Sequence, residues 1–145
     1  MKLRRSLTGT ALAALALAAP QTTLPRALAK GVVPCHGGTG DARALAKAFR
    51  AGGEIHLAKE CVYTVKAPAA ARAALPRVTR DTGVDGAGSA IQWSGPRALL
   101  DIAPDANVTF TDVRLENTSG GAQIAVGKGG HLIIGGGSHF FGLNA

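Results

Sequence analysis

Aromatic side chains are scarce, with one Trp, one Tyr and four Phe among 145 residues. That argues against a core of large interlocking rings and against the base-stacking platform of a single-strand binder. Acids are also few, nine against 16 Lys and Arg, so the formal charge is +7. Long apolar runs are missing: the longest, residues 11–19, spans nine residues, against roughly 20 for a stable membrane span. There are only two cysteines, and two thiols make no metal site without suitably spaced His; His36 lies too close to Cys35 to complete one. What is plentiful is glycine, 20 residues, within a chain that is 46% apolar. Such a chain is too apolar for a disordered basic tail and too rich in glycine for a coiled coil, and its length suits one domain.

Much of the positive charge has a local explanation. Lys2, Arg4 and Arg5 precede the apolar run 11–19, and Ala27-Leu28-Ala29 places small residues where an export peptidase reads them. Residues 1–29 are thus read as a secretory signal peptide. Arg4-Arg5 is taken as an ordinary positive n-region, with a twin-arginine route as the alternative. Cleavage after Ala29 removes Lys2, Arg4, Arg5 and Arg26 and no acid, taking +7 to +3 over the remaining 116 residues. The remaining cations are scattered, so nucleic acid is not an expected partner, and the mature chain is expected to carry no membrane span. The expected location is extracellular or at the cell surface.

In that oxidising environment Cys35 and Cys61 are expected to pair, enclosing 25 residues and contributing about 3 kcal/mol through loop entropy. Between them, Thr39 or Asp41 can cap a helix running to about Ala51. Ala42, Leu45, Ala46 and Phe49 fall on one face, and Gly52-Gly53 ends the helix. Residues 54–57 and 62–65 alternate as strands. Residues 67–77 read as a connecting loop, Ala-rich and loosely helical at most.

From residue 78 onward the pattern is a repeat. Val78, Ile102 and Val126 are spaced by 24 and 24, as are Val84, Val108 and Leu132. The same offset of 24 aligns Leu100 with Ile124, Ile91 with Leu115, Phe110 with Ile134 and Asp81 with Asp105. A period this short, carrying strands and turn residues, predicts a solenoid with one coil per repeat. Val84, Gly86, Val108, Phe110, Leu132 and Ile134 are expected inward, and Asp85, Thr109 and Ile133 outward. Corners are expected at residues 104–107 and 127–130.

Gly52-Gly53-Glu54-Ile55-His56-Leu57-Ala58-Lys59-Glu60-Cys61-Val62-Tyr63-Thr64-Val65, preceded by a Cys and a short helix, is followed by Val84-Asp85-Gly86-Ala87-Gly88, Leu100-Asp101-Ile102-Ala103 and Val108-Thr109-Phe110. This succession resembles bacterial exported right-handed parallel β-helix proteins of the pectate-lyase-like superfamily, over roughly residues 33–145. The resemblance implies an all-β, right-handed parallel β-helix of ~24-residue coils with a short N-terminal capping helix. The expected organisation is a signal peptide (1–29), an N-terminal cap with the disulfide (30–66), the connecting loop (67–77) and coils (78–145) that stop early, without a closing cap. Either the reading frame is truncated or that open edge, with Gly135-Gly136-Gly137 and Phe140-Phe141 beside it, pairs with another subunit; the favoured reading of the two phenylalanines is that they fill the last coil.

The architecture serves lyases, glycosidases and non-catalytic modules alike, so activity has to be read from sites. A lyase needs carboxylates around Ca²⁺ and a basic group to take the proton. Asp81 and Asp105 are the calcium candidates, calcium being the only cofactor considered. Asp85, Arg114 and Glu116 are the catalytic candidates. The competing readings are turn-forming aspartates and a surface ion pair of Arg77 with Asp101. His139 follows Gly137-Ser138 but lacks the paired aspartates of a polygalacturonase-type site and reads as a turn or surface residue. Asn107 and His131 read as a stack at a corner. The sequence therefore favours a secreted, non-catalytic β-helix module that binds carbohydrate, such as a wall glycan, or protein, or serves structurally. The alternative is a polysaccharide-active enzyme, lyase or glycosidase, or a remnant of one.

Overall fold

The computed structural model describes residues 31–119 and 124–141; the expected signal peptide, 1–29, lies outside them. In chain order the elements are β1 (Cys35–His36), β2 (Thr39–Gly40), α1 (Ala42–Ala51), β3 (Gly53–His56), β4 (Val62–Lys66), β5 (Thr82–Ser94), β6 (Leu100–Ile102), β7 (Asn107–Asn117), β8 (Ile124–Val126), β9 (His131–Ile134) and β10 (His139–Phe141). Apart from the small antiparallel β1–β2 pair, every pairing is parallel and joins one coil to the next. The chain is a parallel β-solenoid.

Three faces enclose its core. The first stacks β3, the start of β5, the start of β7 and β9. The second stacks β2, β4, the end of β5, the end of β7 and β10. On the third, Val78 bridges to Ile102 in β6, and β6 pairs with β8. Alternation of side chains along each strand turns one set inward, so like positions form columns: Ile55, Val84 and Phe110 on the first face, Tyr63, Ile91 and Leu115 on the second. All six are buried, and each such side chain contributes about 1.5–3 kcal/mol by leaving water.

The corner between the first and second faces uses the left-handed region in every coil. Glu60 (φ 53°), Gly88 (φ 76°), Asp112 (φ 51°) and Gly137 (φ 77°) occupy it in turn. This corner also explains where the expected register fails. Asp85 pairs with Thr111 but Ser89 pairs with Val113, so residues 86–88 stand opposite Asp112 alone. Two extra residues in that coil put Val84 on Phe110 and Thr82 on Val108, not Val84 on Val108. Gly86 is consequently no partner of Phe110; it fills the corner, where a Cβ would sit 2.5 Å from the Cβ of Val113. Asp81 moves with it, opposite Asn107, and the expected equivalence of Asp81 with Asp105 is lost. The 24-residue offset holds for Leu100 on Ile124, Ile91 on Leu115 and Phe110 on Ile134, and becomes 25 where Phe140 lies on Leu115. Ile134 is in the expected register, yet it stays 39% exposed because no described strand lies beyond β9.

Helix α1 closes the N-terminal end of the column. Asp41 caps it, Oδ1 accepting from the backbone N–H of Arg43 (2.9 Å) and Ala44 (3.0 Å). Leu45 and Phe49 are buried, and the Phe49 ring lies 6.4 Å from that of Phe110. The Cys35–Cys61 disulfide is formed, with Cα atoms 6.3 Å apart. Tyr63 reinforces the same region: its hydroxyl donates to the Val33 carbonyl (2.7 Å) and accepts from the Ala58 N–H (2.9 Å). The stretch expected as a loose connection is more ordered than that. Ala73 bridges to Ala98, Leu75 N–H donates to the Leu99 carbonyl (2.9 Å), and residues 73–75 are buried as part of the third face.

Candidate functional site

The outward side of the first face carries a shallow groove of about 390 Å³. Its floor is Gly83, over which the Glu54 side chain lies: a Cβ on Gly83 would come within 2.5 Å of Glu54 Oε2. Pairing of β3 with β5 sets Glu54 beside Gly83 and His56 beside Asp85; pairing of β5 with β7 adds Thr109 and Thr111 on the next coil. Asp81 and Asn107 complete one end. Three carboxylates, three threonines and an amide thus line one surface, the Thr82 hydroxyl being committed to the Arg80 carbonyl, and no Lys or Arg lines it.

Each carboxylate is held differently. Asp85 Oδ2 lies 3.6 Å from His56 Nδ1, and its Oδ1 accepts from Ala87 N–H (3.2 Å) at the corner. Asp81 Oδ1 accepts from both the backbone N–H (2.9 Å) and the side-chain amide (3.0 Å) of Asn107. Glu54 takes part in no ion pair among the described residues. The groove therefore presents one free carboxylate, one shared with an imidazole and one committed to fixing the start of β7.

The structure separates the catalytic candidates. Asp85 belongs to the first face, whereas Arg114 and Glu116 project from the second. There Glu116 accepts from Gln92 Nε2 (2.6 Å) and lies 3.9 Å from Arg114 Nε. The basic group expected to serve Asp85 thus sits around a corner from it. Asp81 and Asp105 are divided too: Asp105 occupies a left-handed turn position (φ 61°) packed against Gly129. Among the described residues no three His, Cys, Asp or Glu converge as a metal site would require. Asn107 does pair with His131, and the Arg77–Asp101 ion pair is present at 3.4 Å. His139 pairs with Arg114, with Phe140 over Leu115.

Glu54, His56 and Thr111 went unnoticed as neighbours of Asp85. Their signal was the parity of β3 and β7, legible only after the two extra residues at the Asp85 corner are placed. Fold and groove together define a parallel β-solenoid with an acidic outward groove free of lining cations. Comparison with known proteins finds no matching family model, no matching curated protein and no matching solved structure.

Proposed function

We propose that this chain is an exported, non-catalytic member of the pectate-lyase-like β-helix group that binds a neutral glycan in the groove over Gly83. The observation that carries this reading is the chemistry of the lining: Glu54, Asp85, Thr109 and Thr111 offer acceptors and hydroxyls to sugar hydroxyls, with no cation to recruit an anionic polymer. Carboxylates make strong, charge-assisted bonds to such hydroxyls. A polyuronate would instead bring like charges together, each contact costing about 1 kcal/mol at 4 Å in water. Non-catalytic action is supported by the position of Arg114 on a different face from Asp85. Export is supported by residues 1–29 as a sequence and by the formed Cys35–Cys61 bond. Among the described residues no helix is long and apolar enough to cross a membrane.

The test is a binding and product assay on neutral β-glucans, xylan and mannan beside polygalacturonate with and without Ca²⁺. Binding to a neutral glycan, weakened about tenfold by Glu54→Gln or Asp85→Asn, with no change in chain length, is expected. Unsaturated product from polygalacturonate, or new reducing ends from any polymer, would establish the enzymatic alternative.

A second reading concerns assembly. Val126, Ile133, Ile134 and Phe141 are exposed apolar residues of the last described coil, one or two on each of its three faces. We infer that this coil is where the chain self-associates, through the apolar side chains it exposes.

A further inference from the structure

We propose that the groove between α1 and residues 65–76 docks an acidic, apolar peptide segment of a partner protein. This groove, about 380 Å³, lies apart from the acidic one. Its floor is aliphatic, formed by Ala46, Val65, Ala73 and Leu75, with Pro68 and Pro76 along one wall. Arg43, Arg50 and Lys66 stand at its rim, all three exposed. No acid lines it.

The three cations take part in none of the ion pairs among the described residues. All nine acids of the sequence fall among the described residues and none lines this groove; the nearest in sequence, Asp41, is committed to capping α1 through the N–H groups of Arg43 and Ala44. Their guanidinium and ammonium groups are thus open to the carboxylates of another molecule. The floor decides which kind. Aliphatic side chains without a hydroxyl, amide or aromatic face give sugar hydroxyls no partner and sugar rings no platform. They do give Leu or Val side chains a surface on which to leave water, while flanking carboxylates meet the rim. An extended peptide alternating apolar and acidic residues satisfies both demands.

The experiment uses the disulfide-intact protein and a fluorescein-labelled nonapeptide alternating aspartate and leucine, with lysine–leucine and aspartate–serine peptides as controls. Binding of the aspartate–leucine peptide alone is expected, weakening with added salt. Arg43→Glu with Arg50→Glu should lower its affinity about tenfold or more. Ala46→Trp, which fills the floor and keeps the charges, should abolish binding; circular dichroism and the urea-unfolding midpoint check that each variant is folded. Equal binding of the lysine–leucine peptide, indifference to either variant, or displacement of the peptide by polygalacturonate oligomers would overturn the proposal. So would a dimer of this chain that Arg43→Glu with Arg50→Glu dissociates.

Discussion

Tyr63 is the residue on which the first coil depends most. Its ring lies over Gly40, where any Cβ would collide with it, and its hydroxyl ties Val33 to Ala58 across the coil. Tyr63→Phe strips an acceptor from the Ala58 N–H and a donor from the Val33 carbonyl, and is expected to lower stability by about 1–3 kcal/mol in urea unfolding. Desolvation pushes the Tyr63 phenol above its ordinary value of 10.0, and the Ala58 hydrogen bond offsets only part of that rise. The unfolded chain gives up this proton near pH 10 while the folded chain keeps it, so the unfolded state binds fewer protons there. Stability from this group is full below pH 10 and falls as pH rises through the folded value. Because this is the one tyrosine in the chain, tyrosinate absorbance reports it without interference. Titration in the native protein should be delayed relative to the urea-unfolded chain; coincident curves would refute the assignment.

At the scale of elements, the disulfide and α1 close one end together. Replacing Cys35 and Cys61 by Ser should cost about 3 kcal/mol, read as a lower urea midpoint with a steeper slope, because the unfolded chain is no longer cross-linked. Asp41→Ala should cost about 1 kcal/mol by freeing two N–H groups at the start of α1. A change near zero would mean that packing of Leu45 and Phe49 alone holds the helix. Most of these elements were legible beforehand. The cap, the amphipathic face of α1 and the glycine stop are local signals, and so was the 24-residue spacing of Val78, Ile102 and Val126. The exception was the Asp85 corner: solenoid coils tolerate extra residues where a turn bulges outward, and two there shift Thr82–Asp85 to an offset of 26 against β7 while Val78 stays on Ile102 at 24. The third face was hidden for a different reason. Ala73, Ala74 and Leu75 pair by single bridges, too briefly for alternation to show.

At the scale of the whole molecule, four of the five exposed large apolar side chains among the described residues lie on the last coil, with Val32 at the other end. Ile133→Lys with Phe141→Lys is expected to leave the unfolding midpoint within about 0.5 kcal/mol, since both positions are solvent-facing. Concentration-dependent association in sedimentation should fall at the same time. Association that persists in this variant would place the contact elsewhere. The candidate grooves were the least legible part of the sequence. Each joins residues from separate coils or from a helix and a distant loop, and Gly83 as a floor has meaning only once Glu54 is placed across it.

The tie between Cys35 and Cys61 bears on the order in which the molecule is assembled. In a solenoid each coil contacts only its neighbours, so folding can nucleate at any coil and propagate from there. The disulfide, the Tyr63 bridge and α1 concentrate cross-links in the first described coil, which makes it a favoured nucleus. In refolding from urea with the bond intact, amides of β4 should therefore be protected from hydrogen exchange before those of β9. With the thiols reduced the chain should still refold, and that N-terminal bias in the order of protection should be lost.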